Sequence, residues 1–354
     1  MILPFLIALA SLVGLMVAHE FGHFILAKKF GAKVEEFGIG YPPKIFGKKI
    51  GETIYSLNLI PFGAFVRIKG ETGGIEDHRS FLGKPMWQRM LIILGGVISF
   101  WIVSIILMSV VAGVWGLPTA ITDDTAGNFI NPEVRIVFVS PDSTAALAGI
   151  EVGDTVLNFE KISEFQSFIS NHKGEEIVLS IERDKEIIEK TITLKDSSSG
   201  GILGVGLTRV ASEVFPWYKA PFKGVTATGE LTLNVLSGWV LGLKSLFGLV
   251  ELPEGMDMEM MGPIGIFDLL GDYFSLGMDS FLFLVSLVSV ALALANLLPI
   301  PALDGGKMVF LAIEAVRGKP INSKIESRIT GAFFFLLIAL MIFVTIKFDI
   351  PRLF

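Results

Sequence analysis

The hydrophobic and polar positions divide the chain into long apolar runs separated by mixed stretches. Four runs, Ile2 to Ala27, Met90 to Val114, Phe281 to Leu303 and Ala332 to Ile346, predict helices crossing a bilayer core of about 30 Å, which takes roughly 20 helical residues. Between Lys33 and Gly70 the pattern changes to Val, Ile, Phe and Tyr broken by Gly and Pro, which predicts short strands and turns. Open strand edges are not tolerated in lipid unless protein covers them, so this sheet is expected to fold back against the spans; a surface hairpin is the alternative. Phe81 to Trp87 is expected to form an interfacial helix, with Trp87 and Arg89 as anchors.

From about Asp123 to Val210 the composition turns to mixed charge and alternating strands such as Val134 to Val139 and Ile177 to Ile181, enough for one small soluble α+β domain. From Phe215 to about Gly277 the chain is aromatic and amphipathic. Leu231 to Val250 is apolar but interrupted by Asn234 and Lys244, which favours a helix on the outer surface; a fifth span is the alternative and would invert the C-terminal half.

Composition agrees with a polytopic membrane protein carrying a soluble insert: 52% of residues are hydrophobic and 18% charged. Zero cysteines exclude disulfides, thiolate metal sites and thiol nucleophiles. The net charge of -6 comes with no basic cluster of interleaved aromatics, so nucleic acid is not an expected partner. Basic residues concentrate between the first two runs (Lys28 to Arg89) and between the last two (Lys307 to Arg328). By the positive-inside rule both links are cytoplasmic, while the chain ends and the long insert lie outside. The first run lacks the positive start of a secretory signal and is expected to be retained.

Chemistry enters at His19-Glu20-Phe21-Gly22-His23, which closes a run whose residues 1 to 18 carry no charge. Histidines four apart share one helix face, so both imidazoles can reach one metal ion with the glutamate beside it, as in zinc hydrolases. Ionisable groups in a span are costly and mark function by default. His23 precedes Lys28 by five residues, which sets the pair about 7 Å from the cytoplasmic end. The third run ends in Asn296-Leu297-Leu298-Pro299-Ile300-Pro301-Ala302-Leu303-Asp304-Gly305-Gly306. Prolines and glycines unwind the helix there, and Asp304, three residues before Lys307, lies at nearly the same depth as the histidines. Two imidazoles and one carboxylate leave a fourth tetrahedral position for water, the open coordination of catalytic zinc, although His and Asp also suit other divalent ions.

These motifs resemble the site-2 protease family, and more closely its regulator of sigma-E protease branch. The resemblance also rests on Ile60-Pro61-Phe62-Gly63-Ala64-Phe65-Val66 and Gly262-Pro263-Ile264-Gly265-Ile266. A further stretch, Ser140-Pro141-Asp142-Ser143-Thr144-Ala145-Ala146-Leu147-Ala148-Gly149-Ile150-Glu151-Val152-Gly153-Asp154, is similar to the helix and turn of a PDZ domain. The resemblance implies zinc ligands His19, His23 and Asp304, catalytic Glu20, and Asn296 as a polar group near the substrate. Two departures stand out: Gly95-Gly96-Val97-Ile98-Ser99-Phe100 replaces a common Gly-Pro-x-x-Asn-Phe, and there is one PDZ insert where some relatives have two.

The expected fold is thus a polytopic α-helical membrane protein of four transmembrane helices, with a membrane-associated β-sheet and an inserted PDZ domain. Its divisions are a first span (1–28), a re-entrant β segment with interfacial helix on the cytoplasmic side (29–89), a second span (90–116), the extracytoplasmic PDZ domain (117–210), an amphipathic region (211–276), a third span (277–306), and a link with the fourth span (307–354). The expected activity is zinc-dependent cleavage of single-span membrane proteins, such as a pre-trimmed anti-sigma factor, at the bacterial cytoplasmic membrane, with a substrate end on the PDZ domain. A scaffold would have lost a ligand or the glutamate, and a metal transporter would carry polar ligands along a path through the bilayer.

Overall fold

The computed structural model describes residues 2–71, 77–125, 129–141, 143–183, 186–195, 202–250 and 261–352. In chain order it begins with α1 (Ile2–Lys29), β1 (Val34–Ile50), β2 (Thr53–Ile68) and α2 (Met86–Val114). Next come β3 (Leu117–Ile121), β4 (Phe129–Val139), α3 (Thr144–Leu147), β5 (Thr155–Val156), α4 (Ile162–Asn171), β6 (Glu176–Arg183), β7 (Glu186–Thr193) and β8 (Val205–Glu213). The chain closes with α5 (Ala220–Leu246), α6 (Pro263–Leu276), α7 (Met278–Leu297), α8 (Asp304–Arg317) and α9 (Ser323–Val344), the last continuing through a π turn at Thr345–Asp349. Two compact units result: Met1–Ser109 with Pro221–Phe354, and Val110–Ala220.

In the first unit, Leu3–Lys29, Met86–Val114, Met278–Leu297 and Ser323–Asp349 are long and apolar enough to cross a membrane, which makes this a polytopic helical membrane protein. α1 and α2 meet at glycines: a Cβ on Gly22 would lie 2.1 Å from the Gly95 carbonyl oxygen, so only bare backbone allows the approach. α7 joins them through Ser289, whose hydroxyl donates to the Phe100 carbonyl at 2.8 Å. α6 contributes Leu270 to one buried cluster with Ala8 and Leu15 of α1. Its N-terminal amides, Gly262 and Ile264, donate to the buried Asp349 carboxylate at 2.8 and 3.1 Å, so a distant side chain caps this helix.

β1 and β2 pair twice. Residues 44–50 run against 58–53 as a hairpin turning at Gly51, while residues 34–39 lie against 68–64 on one side and beside 54–57 on the other. The expected fold-back is present: Phe37 and Tyr55 pack on Phe24 of α1, and Val34 and Ile68 join Ala27 in one buried cluster.

The interfacial helix expected at Phe81 to Trp87 does not form. Residues 78–84 are turn and bend, and α2 begins at Met86 after Pro85. Local bonds account for this: the Ser80 hydroxyl donates to the Asp77 carbonyl and accepts from the Gly83 amide, competing with helical pairing. Trp87 packs edge-on against Phe30, and Arg89 is buried against Glu314 instead of anchoring at a surface. α5 runs antiparallel alongside α2, with Trp101 Nε1 donating to the Thr232 hydroxyl and Ser104 paired to Thr228, both at 3.2 Å. Asn234 and Lys244 therefore belong to a helix whose first turns follow α2 instead of crossing it.

The second unit is a six-stranded sheet in the order β3-β8-β4-β5-β6-β7 with α3 and α4 packed on it. Its core joins Val134, Ile136, Val156 and Ile181 from the strands to Phe165 and Ile169 of α4. Gly149 and Gly153 take left-handed backbone (φ 71° and 103°) where the sequence indicated turns. Between them and the sheet, buried Asp154 accepts from the Glu151 amide and from Arg183 at 2.7 and 2.8 Å. Asp142 lies outside the described residues.

Candidate metal centre

α1 carries His19 and His23 one turn apart because an uninterrupted apolar helix holds them in register. Asp304 arrives from the far end of the chain as the first residue of α8. α7 stops at Leu297, and the segment with Pro299 and Pro301 delivers the carboxylate to the imidazoles. Both histidines present Nε2 to the same carboxylate oxygen: Asp304 Oδ2 lies 3.0 Å from His19 and 3.3 Å from His23. Around a tetrahedral zinc with bonds near 2.0–2.1 Å, neighbouring donors sit roughly 3.3 Å apart, so the spacing fits one ion.

The hydrogen-bond inventory points the same way. His23 Nδ1 faces the Ile92 carbonyl at 2.8 Å, an acceptor only, so this nitrogen carries the proton. His19 Nδ1 faces Glu20 Oε1 at 3.5 Å. Each ring thus has acceptors at both nitrogens. Two imidazoliums would satisfy that arrangement; so does one divalent cation taking both Nε2 lone pairs, with the Nδ1 protons fixed from outside. The second solution gives both Nε2 atoms and the shared Asp304 oxygen one common partner.

Glu20 stands beside the cluster, its Oε2 accepting the Val66 amide of β2 at 3.0 Å. Glu20, His23 and Asp304 line a cavity of about 190 Å³ with Ala64, Val66 and Lys307. Lys307 is bonded to Glu71 at 2.6 Å, and that carboxylate raises the affinity of its ammonium for its proton above the ordinary lysine value.

Asn296 does not join this cluster: its carboxamide donates back to the Leu292 carbonyl of its own helix at 2.9 Å. Ser99 likewise turns to its own helix, donating to the Gly96 carbonyl at 2.6 Å. Three contributors were not read from sequence. A Cβ on Gly96 would sit 2.3 Å from His23 Nε2 and 2.7 Å from His19 Nε2, so this glycine makes room for both rings. Phe100 stacks on His19 with centroids 4.8 Å apart, and the Ile92 carbonyl orients His23. The visible signal was a Gly-Gly pair inside an otherwise bulky apolar run.

The sequence profile of Peptidase family M50 matches residues 6–340. A protein of Clostridium perfringens named as a candidate zinc metalloprotease is 32% identical, the alignment covering 96% of each chain. The regulator of sigma-W protease RasP of Bacillus subtilis is 27% identical over 100% of this chain and 99% of its own. The zinc metalloprotease RasP of Oceanobacillus iheyensis is 26% identical over 98% and 99%. With the histidine pair, the glutamate between them and Asp304 inside the matched segment, the chain belongs to peptidase family M50, the site-2 protease family.

Proposed function

We propose that the protein is a zinc-dependent intramembrane endopeptidase that cleaves single-span membrane proteins within or near their transmembrane segment. The observation that carries this reading is the convergence of His19, His23 and Asp304 within 4.8 Å of one another, with Glu20 alongside. His19, His23 and Asp304 would hold the ion, and a bound zinc would supply acidification of water and polarisation of a peptide carbonyl. Glu20 accepts the proton of the attacking water and returns one to the leaving nitrogen, a task left to a carboxylate because both imidazoles are engaged.

A substrate helix must unwind to expose its amide. Residues 64–68 of β2 border the metal-site cavity and pair on one side with 34–39, so an extended substrate strand is received on their other edge. Asn296 takes a freed substrate amide or carbonyl once its bond to Leu292 opens. Basic residues in 28–89 and 307–328 support a cytoplasmic placement of the site, in a bacterial cytoplasmic membrane, with the second unit and the outer ends of α1 and α9 on the other side. The second unit is read as a PDZ domain. A cavity of about 530 Å³ lies between α4 (Phe165, Ile169) and Gly204 to Leu207, where β8 extends beyond its pairing with β3. That open edge suits an added peptide strand, such as the end of a pre-trimmed substrate, for example an anti-sigma factor.

The test is Glu20→Gln in the full-length protein with a single-span substrate. Cleavage is expected to vanish while bound zinc and thermal stability remain native. Cleavage at native rate by the variant would contradict the assignment.

A further inference from the structure

One stripe of α2 carries the contacts that frame the metal site. Arg89, Ile92, Ile93 and Gly96 recur at helical spacing on a single face. The Ile92 carbonyl fixes His23, and Gly96 admits both rings. Ile92 and Ile93 share a buried cluster with Leu311 of α8. At the end of the stripe the Arg89 guanidinium makes a forked pair with Glu314 of α8, Nη1 to Oε2 at 2.9 Å and Nη2 to Oε1 at 2.6 Å. Glu314 stands about three turns beyond Asp304 on the same helix.

The pair is nearly buried, with side-chain exposures of 7% and 15%, and among the described residues Arg89 Nε has no hydrogen-bond partner. Compared with packed apolar side chains a buried ion pair adds little stability, because desolvation offsets the attraction, although removing one partner alone strands a buried charge; what the pair's fixed geometry supplies is position. Position is what α8 needs. The non-helical residues 298–303 fix where the helix starts, and contacts farther along, at Leu311 and Glu314, fix the direction in which it leaves.

We propose that Arg89 and Glu314 are positioning residues of the metal centre: their forked pair sets the course of α8 and thereby holds the Asp304 carboxylate against His19 and His23. The proposal rests on the reading of Asp304 as a ligand. The test measures zinc affinity of full-length protein by chelator competition, with thermal unfolding of the metal-free form alongside. Glu314→Gln is expected to lower affinity about ten- to a hundred-fold, as loss of an outer support does, and excess zinc is expected to restore its cleavage. Arg89→Lys, which keeps the charge but not the fork, falls between and serves if Glu314→Gln does not fold. Asp304→Asn lowers affinity without rescue of cleavage. Asp349→Asn, which weakens the cap of α6, lowers stability and leaves affinity native. Native affinity in Glu314→Gln and Arg89→Lys beside weakened affinity in Asp304→Asn overturns the strut alone. Native affinity in Asp304→Asn overturns the ligand reading itself.

Discussion

At the scale of single residues, the centre depends as much on absent side chains as on present ones. Gly22, Gly95 and Gly96 let two helix backbones touch, and the imidazoles occupy the space a Cβ at position 96 would fill. Gly96→Ala is therefore expected to push the rings apart and cut zinc affinity at least roughly ten-fold, as losses around metal ligands do. Chelator competition checks it, and native affinity would mean the rings can yield. His19, Glu20 and His23 were legible because helical periodicity converts spacing into direction. Asp304 was legible from depth, since a charged helix end and a charged span end met at one level. The Ile92 carbonyl and the Gly96 gap were not legible, because a backbone group or missing atom leaves no chemical signature in one sequence. Asn296 came from resemblance alone, and in this structure its amide is occupied by Leu292.

At the scale of elements, the edge formed by residues 64–68 links the sheet to the chemistry, because the Val66 amide that faces away from Phe37 holds Glu20. Val66→Pro removes that donor and weakens strand addition. Hydrogen bonds to charged groups contribute about 1.5–3 kcal/mol, so cleavage is expected to drop roughly ten- to a hundred-fold with zinc content intact. Unchanged processing in prolines placed along the edge would remove the strand-addition idea. The strands and their packing on α1 could be read ahead because Gly and Pro punctuate a β-branched, aromatic run. The segment 81–87 was misread because a serine-centred turn uses the same residue types as an interfacial helix start. α5 was ambiguous because Asn234 and Lys244 interrupt its apolar run, and the pairing of Thr228 and Thr232 with Ser104 and Trp101 is a tertiary contact that one sequence does not display.

At the scale of the molecule, the two units answer to different chemistry. In residues 110–220, burial opposes ionisation of Asp154, but bonds from Arg183 and the Glu151 amide outweigh it and hold the carboxyl below its ordinary value. The unfolded chain, with a carboxyl near 4, then binds the proton first. The stabilisation is complete above about pH 4 and drains away as pH falls through the lower folded value. Hydrogen exchange over residues 110–220, corrected for intrinsic rates, is expected to show protection falling below about pH 4, less steeply in Asp154→Asn; identical profiles would contradict the linkage. The composition break announced this unit, and the apolar runs announced the spans, because each kind of surface is set by its solvent.

The proposed chemistry requires a single divalent ion shared by two histidines of the first helix and an aspartate nearly three hundred residues later. Zinc-edge X-ray absorption on the purified native chain and on Asp304→Asn tests it most directly. One zinc per chain with two imidazole nitrogens and oxygen donors at about 2.0–2.2 Å, altered in the variant, is the predicted result. A spectrum that Asp304→Asn leaves unchanged would contradict it.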